Sequence, residues 1–194
     1  MILIVGLGNP NKQYEKTRHN AGWLFVDFFR EESMADFSFG AWTENKKFNA
    51  LVCEGGLGRR NNSEGGRGQQ KIILAKPLTF MNESGRAIGL LNDFYKNATI
   101  NLIVCHDDVD LPIGTFKAQK NISAAGHHGV ESIINTIKTQ DFWRIRIGIG
   151  KEEKAKQGDT SKFVLNKFSL FDRARLRKVF TLARESVFKI IENP

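Results

Sequence analysis

The chain has 194 residues, 41% of them hydrophobic, and a formal net charge of +8. That length supports one core of ordinary size rather than two, and no stretch approaches the roughly 18 apolar residues needed to span a bilayer. Its two cysteines, Cys53 and Cys105, lie in apolar runs, the usual setting of reduced structural thiols in a cytoplasmic protein and not of a disulfide framework.

In chain order, Met1 opens directly onto Ile2–Val5 with no basic n-region and no small-residue cleavage site, so the start reads as a strand and not a signal peptide. The strand enters a tight loop at Gly6-Leu7-Gly8-Asn9-Pro10. A helix is expected from an N-cap at Asn20 through Trp23, Leu24, Val26 and Phe28 toward Glu32. Phe48 to Glu54 alternates as a strand, and Lys71 to Lys76 forms the next. Between them Gly55 to Gln70, rich in Gly, Arg and Asn, reads as a flexible insertion. Beyond Pro77 a turn leads to Asn82-Glu83-Ser84 and a helix through Ile88, Leu91 and Phe94.

Asn101 to Cys105 is a buried strand that should end in an acidic turn, His106 to Asp110. Gly114 to Ala118 suggests a strand, Lys120 to His128 a loop, and Gly129 to Ile137 a helix with Val130, Ile133, Ile134 and Ile137 on one face. Trp143 to Ile149 alternates strictly, with Arg144 and Arg146 on the face opposite Trp143, Ile145, Ile147 and Ile149. Leu170 to Ile191 is a long basic amphipathic helix. From Lys162 to Glu192 there are eight Lys/Arg against three Asp/Glu. This favours an anionic partner, nucleic acid being the commonest, although a merely soluble basic surface fits the charge as well. Strands alternating with helices predict a single α/β domain over residues 1–194, with a twisted mixed, largely parallel sheet flanked by helices.

Among motifs, Gly6-x-Gly8 after a first strand does not extend to a dinucleotide fingerprint: position 11 is Asn, and Pro10 intervenes. There is no G-x-S-x-G elbow and no C-x-x-C. His106, Asp107, Asp108, Asp110, His127 and His128 carry metal-ligating side chains, but H-D-D-x-D is not a recognised ligand spacing. His19, between Thr17-Arg18 and Asn20-Ala21-Gly22, stands at a helix entrance where its proton equilibrium is tunable. A buried carboxylate accepting from one ring nitrogen would leave the other free to take a proton from water. In an α/β sheet, Asn9, Asp107 and the loop near His127 can converge beyond the carboxyl ends of strands.

Gly6-Leu7-Gly8-Asn9-Pro10, Tyr14, Thr17 to Gly22, Lys76-Pro77-Leu78-Thr79-Phe80-Met81-Asn82, His106 to Pro112, Gly126-His127 and Arg144 to Gly150 together resemble bacterial-type peptidyl-tRNA hydrolase, in that family's order and near its spacing. The resemblance covers almost the whole chain. It implies a cytoplasmic monomer with no metal or other cofactor, acting on peptidyl-tRNA. His19 is then the catalytic base, supported by Asp107, and Asn9 contacts the peptide beside the ester. Tyr14, Phe80, Met81 and Asn82 line the substrate cleft, and Arg146 grips tRNA phosphate. The sequence departs from the family pattern in two places. His128 stands where an Asn normally contacts substrate, and Gln119 where a basic residue often binds phosphate, so Lys117 or Lys120 are expected to compensate. These departures leave open an alternative: an RNA-binding relative that keeps the fold but has weak or lost catalysis.

Overall fold

The computed structural model describes residues 1–56, 71–95, 101–151 and 159–193. Seven strands form one sheet in the order β2-β3-β4-β1-β5-β7-β6: β1 Ile2–Gly6, β2 Thr43–Asn45, β3 Ala50–Gly56, β4 Lys71–Pro77, β5 Asn101–Pro112, β6 Phe116–Lys120 and β7 Trp143–Gly150. The central four, β4, β1, β5 and β7, run parallel, and the outer strands add antiparallel. The mixed, largely parallel α/β sheet expected from the pattern is therefore present. The helices are α1 Ala21–Glu32, α2 Met34–Phe37, α3 Ser84–Phe94, α4 His128–Ile137, α5 Thr160–Val164 and α6 Leu170–Glu192.

Strand alternation divides the core into two layers. Ile2, Ile4, Ile72, Leu74, Ile103, Cys105, Ile145 and Ile147 pack with α1, α5 and α6. Leu3, Val5, Ile73, Ala75, Leu102 and Val104 pack with α3 and α4 on the opposite face. From β1 the chain leaves toward β4, and from β5 toward β7, in opposite directions along the sheet. The carboxyl ends of β1 and β5 thus flank the crevice where open α/β sheets place ligands. No helix among the described residues is long and apolar enough to cross a membrane.

Several expectations need correction. His106 to Asp110 is not a turn: β5 continues to Pro112, in register with β7 through Asp108 and Gly148 and, after an irregularity, at Pro112 and Gly150. Glycine on β7 permits this, because a Cβ at Gly148 would lie 2.2 Å from the Pro112 carbonyl oxygen. Strand β6 begins at Phe116, two residues later than expected. Strand β3 starts at Ala50 and runs on through Gly55 and Gly56; the rest of the expected insertion lies outside the described residues. Arg144 does oppose Ile145, but it is buried and not solvated, its guanidinium donating to the Ser123 carbonyl at 2.7 Å. Burial and neighbouring Arg146 lower its pKa to about 10. The short elements β2, α2 and α5 lack the run length that periodicity needs.

Helix α1 meets the sheet backbone at Gly22, where an added Cβ would lie 2.2 Å from the Cys105 carbonyl oxygen and 2.5 Å from the Leu7 nitrogen. Both obstacles are main chain and cannot rotate away. Gly22→Ala should destabilise the fold by about 1–3 kcal/mol, read as a lower midpoint in denaturant unfolding; an unchanged midpoint would refute this account of the α1 contact.

Candidate active site

Asp107 lies in β5, two residues beyond its last pairing with β1 at Cys105, and is 2% exposed. It receives two histidines that arrive from opposite faces of the sheet. His19, in the 3-10 turn Arg18–Asn20 that leads into α1, donates from Nδ1 to both carboxylate oxygens, at 2.9 and 3.0 Å. His127, the N-cap of α4, donates from Nε2 to Oδ1 at 3.0 Å, while its Nδ1 accepts from the Val130 amide at 3.2 Å. An Nδ1 that accepts is unprotonated, so the His127 ring is neutral. The backbone turns into this cap through Ala125 and Gly126, at φ 49° and 78°. A third imidazole, His106, is buried beneath His127 with ring centroids 4.6 Å apart and donates from Nδ1 to the Asp107 carbonyl at 2.8 Å.

These contacts fix the proton equilibria. Burial by itself lowers the pKa of His19, but the charge of Asp107 and the hydrogen bond to it more than offset this, so the net shift is upward from the ordinary value. Burial works to raise the Asp107 pKa, yet His19 and His127 together hold it well below the usual carboxylate range. Burial and proximity to His127 push His106 far below the ordinary histidine value, which keeps it neutral. With Nδ1 committed to an ionised acid, neutral His19 carries its lone pair on Nε2, as a general base requires.

Asn9, just past β1, is oriented with equal economy. Asn20 accepts from the Asn9 amide at 2.9 Å and donates to its carbonyl at 3.0 Å. The Asn9 side-chain oxygen takes the Met81 amide at 2.8 Å, which leaves Nδ2 as the free donor. Asn20 therefore does not cap α1 with its side chain, as its type suggested; it braces Asn9 beside the catalytic turn. Buried Met81 continues the chain of contacts, since its sulfur and the His127 ring both crowd the Cα hydrogens of Gly129.

A cleft of about 270 Å³ opens over this centre, lined by His19, His106, Asp107, Gly126, His127 and His128, with Thr160, Ser161 and Val164 of α5 closing one side. Phe80 and Asn82 are exposed on the turn after β4, and Tyr14 is half-buried on the loop before His19. His128, at the start of α4, has a side chain 76% exposed, 3.5 Å from Glu131. Of the residues expected to converge, His19 and Asp107 are in contact, while Asn9 is bonded to Asn20 and Met81; sequence reasoning gave no role to His127, Asn20 or α5. The signal for His127 was its position directly before an amphipathic helix, where a side chain can cap.

The basic residues separate. Arg146 is tied to Asp108 at 2.6 Å and to Gln119 at 2.7 Å, so its charge is already compensated within the sheet. Register places Lys117 opposite Arg146 on that face, whereas Lys120 pairs with Trp143 and projects to the α6 side. Lys117 and Lys120 cannot act as interchangeable substitutes at one phosphate.

His19, Asp107 and His127 each offer a ligand atom, all within 4.8 Å of one another, which is the spacing of a possible metal site. Their nitrogen–oxygen separations are hydrogen-bond lengths, however, and a cation would have to displace the proton on each ring. The arrangement fits acid-oriented imidazoles better than a chelate. Replacing Asp107 with Asn removes the charge that raises the His19 pKa and leaves the burial that lowers it. The His19 pKa should therefore fall below the wild-type value in an NMR titration of its ring protons; a rise would overturn the electrostatic assignment.

Residues 3–194 match the family model described as peptidyl-tRNA hydrolase. The peptidyl-tRNA hydrolase of Desulfitobacterium hafniense is 43% identical over 169 residues, spanning 87% of this chain and 81% of that protein. That of Ligilactobacillus salivarius is 40% identical over 193 residues, spanning 100% and 94%. The crystal structure of peptidyl-tRNA hydrolase from Acinetobacter baumannii, 29% identical, superposes with a TM-score of 0.78 over 99% of this chain and 89% of that one. This chain belongs to the peptidyl-tRNA hydrolase family.

Proposed function

We propose that the protein hydrolyses the ester that joins a peptide to the 3′ end of tRNA, with His19 as general base. The observation that carries this is the His19–Asp107 pair, which commits one ring nitrogen to the acid and frees the other in the cleft. A tRNA ester is already activated, so neither a covalent nucleophile nor a metal is required. Nε2 of His19 takes a proton as water attacks the ester carbonyl, and Asp107 stabilises the imidazolium that forms. The tetrahedral intermediate collapses with cleavage of the bond to the ribose oxygen. The imidazolium returns its proton to that oxygen, leaving a peptide carboxylate and a tRNA hydroxyl. General-base assistance of this kind contributes roughly 10²–10⁴-fold.

Nδ2 of Asn9, with no partner among the described residues, is placed to donate to the peptide next to the ester. Asn82 would read the same backbone, and a blocked N-terminus would be preferred over a free aminoacyl group. Tyr14, Phe80 and Met81, which lie outside the lining of the cleft of about 270 Å³, would contact the substrate beyond it, and His128 is part of the cleft lining. Since Arg146 is engaged by Asp108 and Gln119, we assign phosphate contact first to exposed Lys117 on the same face. The alternative of a catalytically silent RNA binder is not favoured, because Asn9, His19 and Asp107 are intact, His19 is bonded to Asp107, and Asn9 is held by Asn20 and Met81. We read the enzyme as a cytoplasmic monomer: Cys53 and Cys105 are buried free thiols, and one chain supplies the whole centre.

Purified protein should release peptide from N-acetyl-aminoacyl-tRNA and spare unblocked aminoacyl-tRNA, with the rate unchanged in EDTA. Loss of activity to the chelator would instead assign His19, Asp107 and His127 to a metal. His19→Ala should lower kcat by at least about 10²-fold, with tRNA binding retained; a surviving rate would mean the base is misassigned. Because only neutral His19 accepts a proton, kcat/KM should rise with pH along a limb above the ordinary histidine value of about 6.5. His128→Asn should match or exceed the wild-type rate, and a large fall would show that His128 has its own task in turnover.

A further inference from the structure

The start of α6 carries a feature that the hydrolytic centre does not use. Leu170 is 78% exposed and Phe171 86% exposed, on the first turn of a 23-residue helix. That turn is firmly held: Ser169 and Asp172 form a reciprocal capping box. The phenyl ring therefore stands in water on a rigid support, and two adjacent large apolar residues this exposed mark a surface with a use. Cations are its neighbours along the chain. Lys167 is exposed just before the cap, and Arg175 and Lys178 follow Phe171 at one- and two-turn spacing on the outward stripe of the helix.

This surface is bonded to the chain that carries the proposed base. Arg18, next to His19, donates to the Lys167 carbonyl at 3.0 Å and pairs with Asp172 at 3.1 Å. Thr17 bridges to Lys167, and the Arg18 amide donates to the Asn166 carbonyl at 3.0 Å. The preceding helix, α5, lines the cleft with Thr160, Ser161 and Val164. Leu170 and Phe171 thus follow the cleft-lining helix α5 within a single stretch of chain that is bonded to the turn carrying His19.

We propose that Leu170 and Phe171, with Lys167 and Arg175 beside them, form a stacking surface for the unpaired RNA bases just upstream of the ester-bearing nucleotide. The proposal rests on peptidyl-tRNA being the substrate, since the 3′ end of tRNA is single-stranded. An exposed aromatic face among cations is the chemistry by which single strands are held without sequence preference. A second copy of this chain would bring like charges together on this face. An anionic bilayer would satisfy the charges but has no reason to lie against the catalytic cleft.

The test compares N-acetyl-aminoacyl-tRNA with N-acetyl-aminoacyl-adenosine, which lacks the upstream nucleotides. Phe171→Ala should raise KM for the tRNA substrate about 5- to 30-fold, the lower part of the range for one stacked base. Its kcat should stay within about twofold, and kinetics on the adenosine substrate should not change. Phe171→Trp should keep the wild-type KM, and Leu170→Ser should give a smaller rise than Phe171→Ala. An unchanged KM for tRNA would overturn the proposal. So would an equal loss of kcat on both substrates, which would trace the effect to Asp172 and Arg18. Flotation on phosphatidylserine vesicles, or self-association, that is lost in Phe171→Ala while KM for tRNA holds would also overturn it. Should the wild-type protein cleave neither substrate, the functional reading fails. The surface is then judged by fluorescence anisotropy of a single-stranded RNA ending in CCA, whose affinity Phe171→Ala must weaken.

Discussion

One carboxylate takes hydrogen bonds from the entry residues of two helices packed on opposite faces of the sheet. Asp107 sits within β5, two residues past the last pairing of that strand with β1. His19 reaches it from the turn ahead of α1, and His127 from the cap of α4. A buried acid is costly unless its charge is compensated and its oxygens are satisfied. Here two ring N–H donors satisfy its oxygens, and the two imidazoles together hold its pKa low enough for Asp107 to stay ionised while it orients His19. The same bonds tie the starts of α1 and α4 to a common point, making the position of His19 a property of the whole α/β packing rather than of one loop.

The parallel order of β4, β1, β5 and β7 sets the stage. It brings the end of β1, from which the chain runs on to Asn9, beside the stretch of β5 that leads from Cys105 to Asp107, at the place where the chain diverges across the sheet. Close backbone approaches at Gly22 and Gly148 let α1 and β5 reach far enough to complete the centre. Asn20 then serves two purposes through one position. Its backbone belongs to the turn that presents His19, and its side chain holds the main chain of Asn9, whose side-chain amide is fixed by the Met81 N–H. Adjacent residues of one turn thus position both the His19 ring and Asn9.

The basic character of the chain is distributed by the fold in a way that net charge conceals. Arg144 and Arg146 share one face of β7, yet the first is buried against Ser123 and the second is absorbed by Asp108 and Gln119. Lys117 and Lys120, three residues apart on one strand, serve opposite sides. The cations of α6 form a separate group, joined to the turn that carries His19 through the Arg18–Asp172 pair. The positive charge is thus divided among several distinct surfaces rather than gathered in one uniform patch.

The amino-acid sequence by itself determined the local elements and the membership of the family. The apolar runs of β1 and β5, the alternation in β7, the apolar stripe of α4 and the long basic α6 are written in neighbouring residues and need no distant partner. The ordered motifs around Asn9, His19 and Asp107 were equally legible. Only the tertiary structure decided that β5 extends through the acidic run, that His127 shares the carboxylate, that Asn20 braces Asn9 and that Arg144 is buried. Each of those depends on residues far apart in the chain: 88 positions separate His19 from Asp107, and 72 separate Asn9 from Met81. Such pairings are set by strand order and by the faces on which helices pack, and local periodicity carries no information about either.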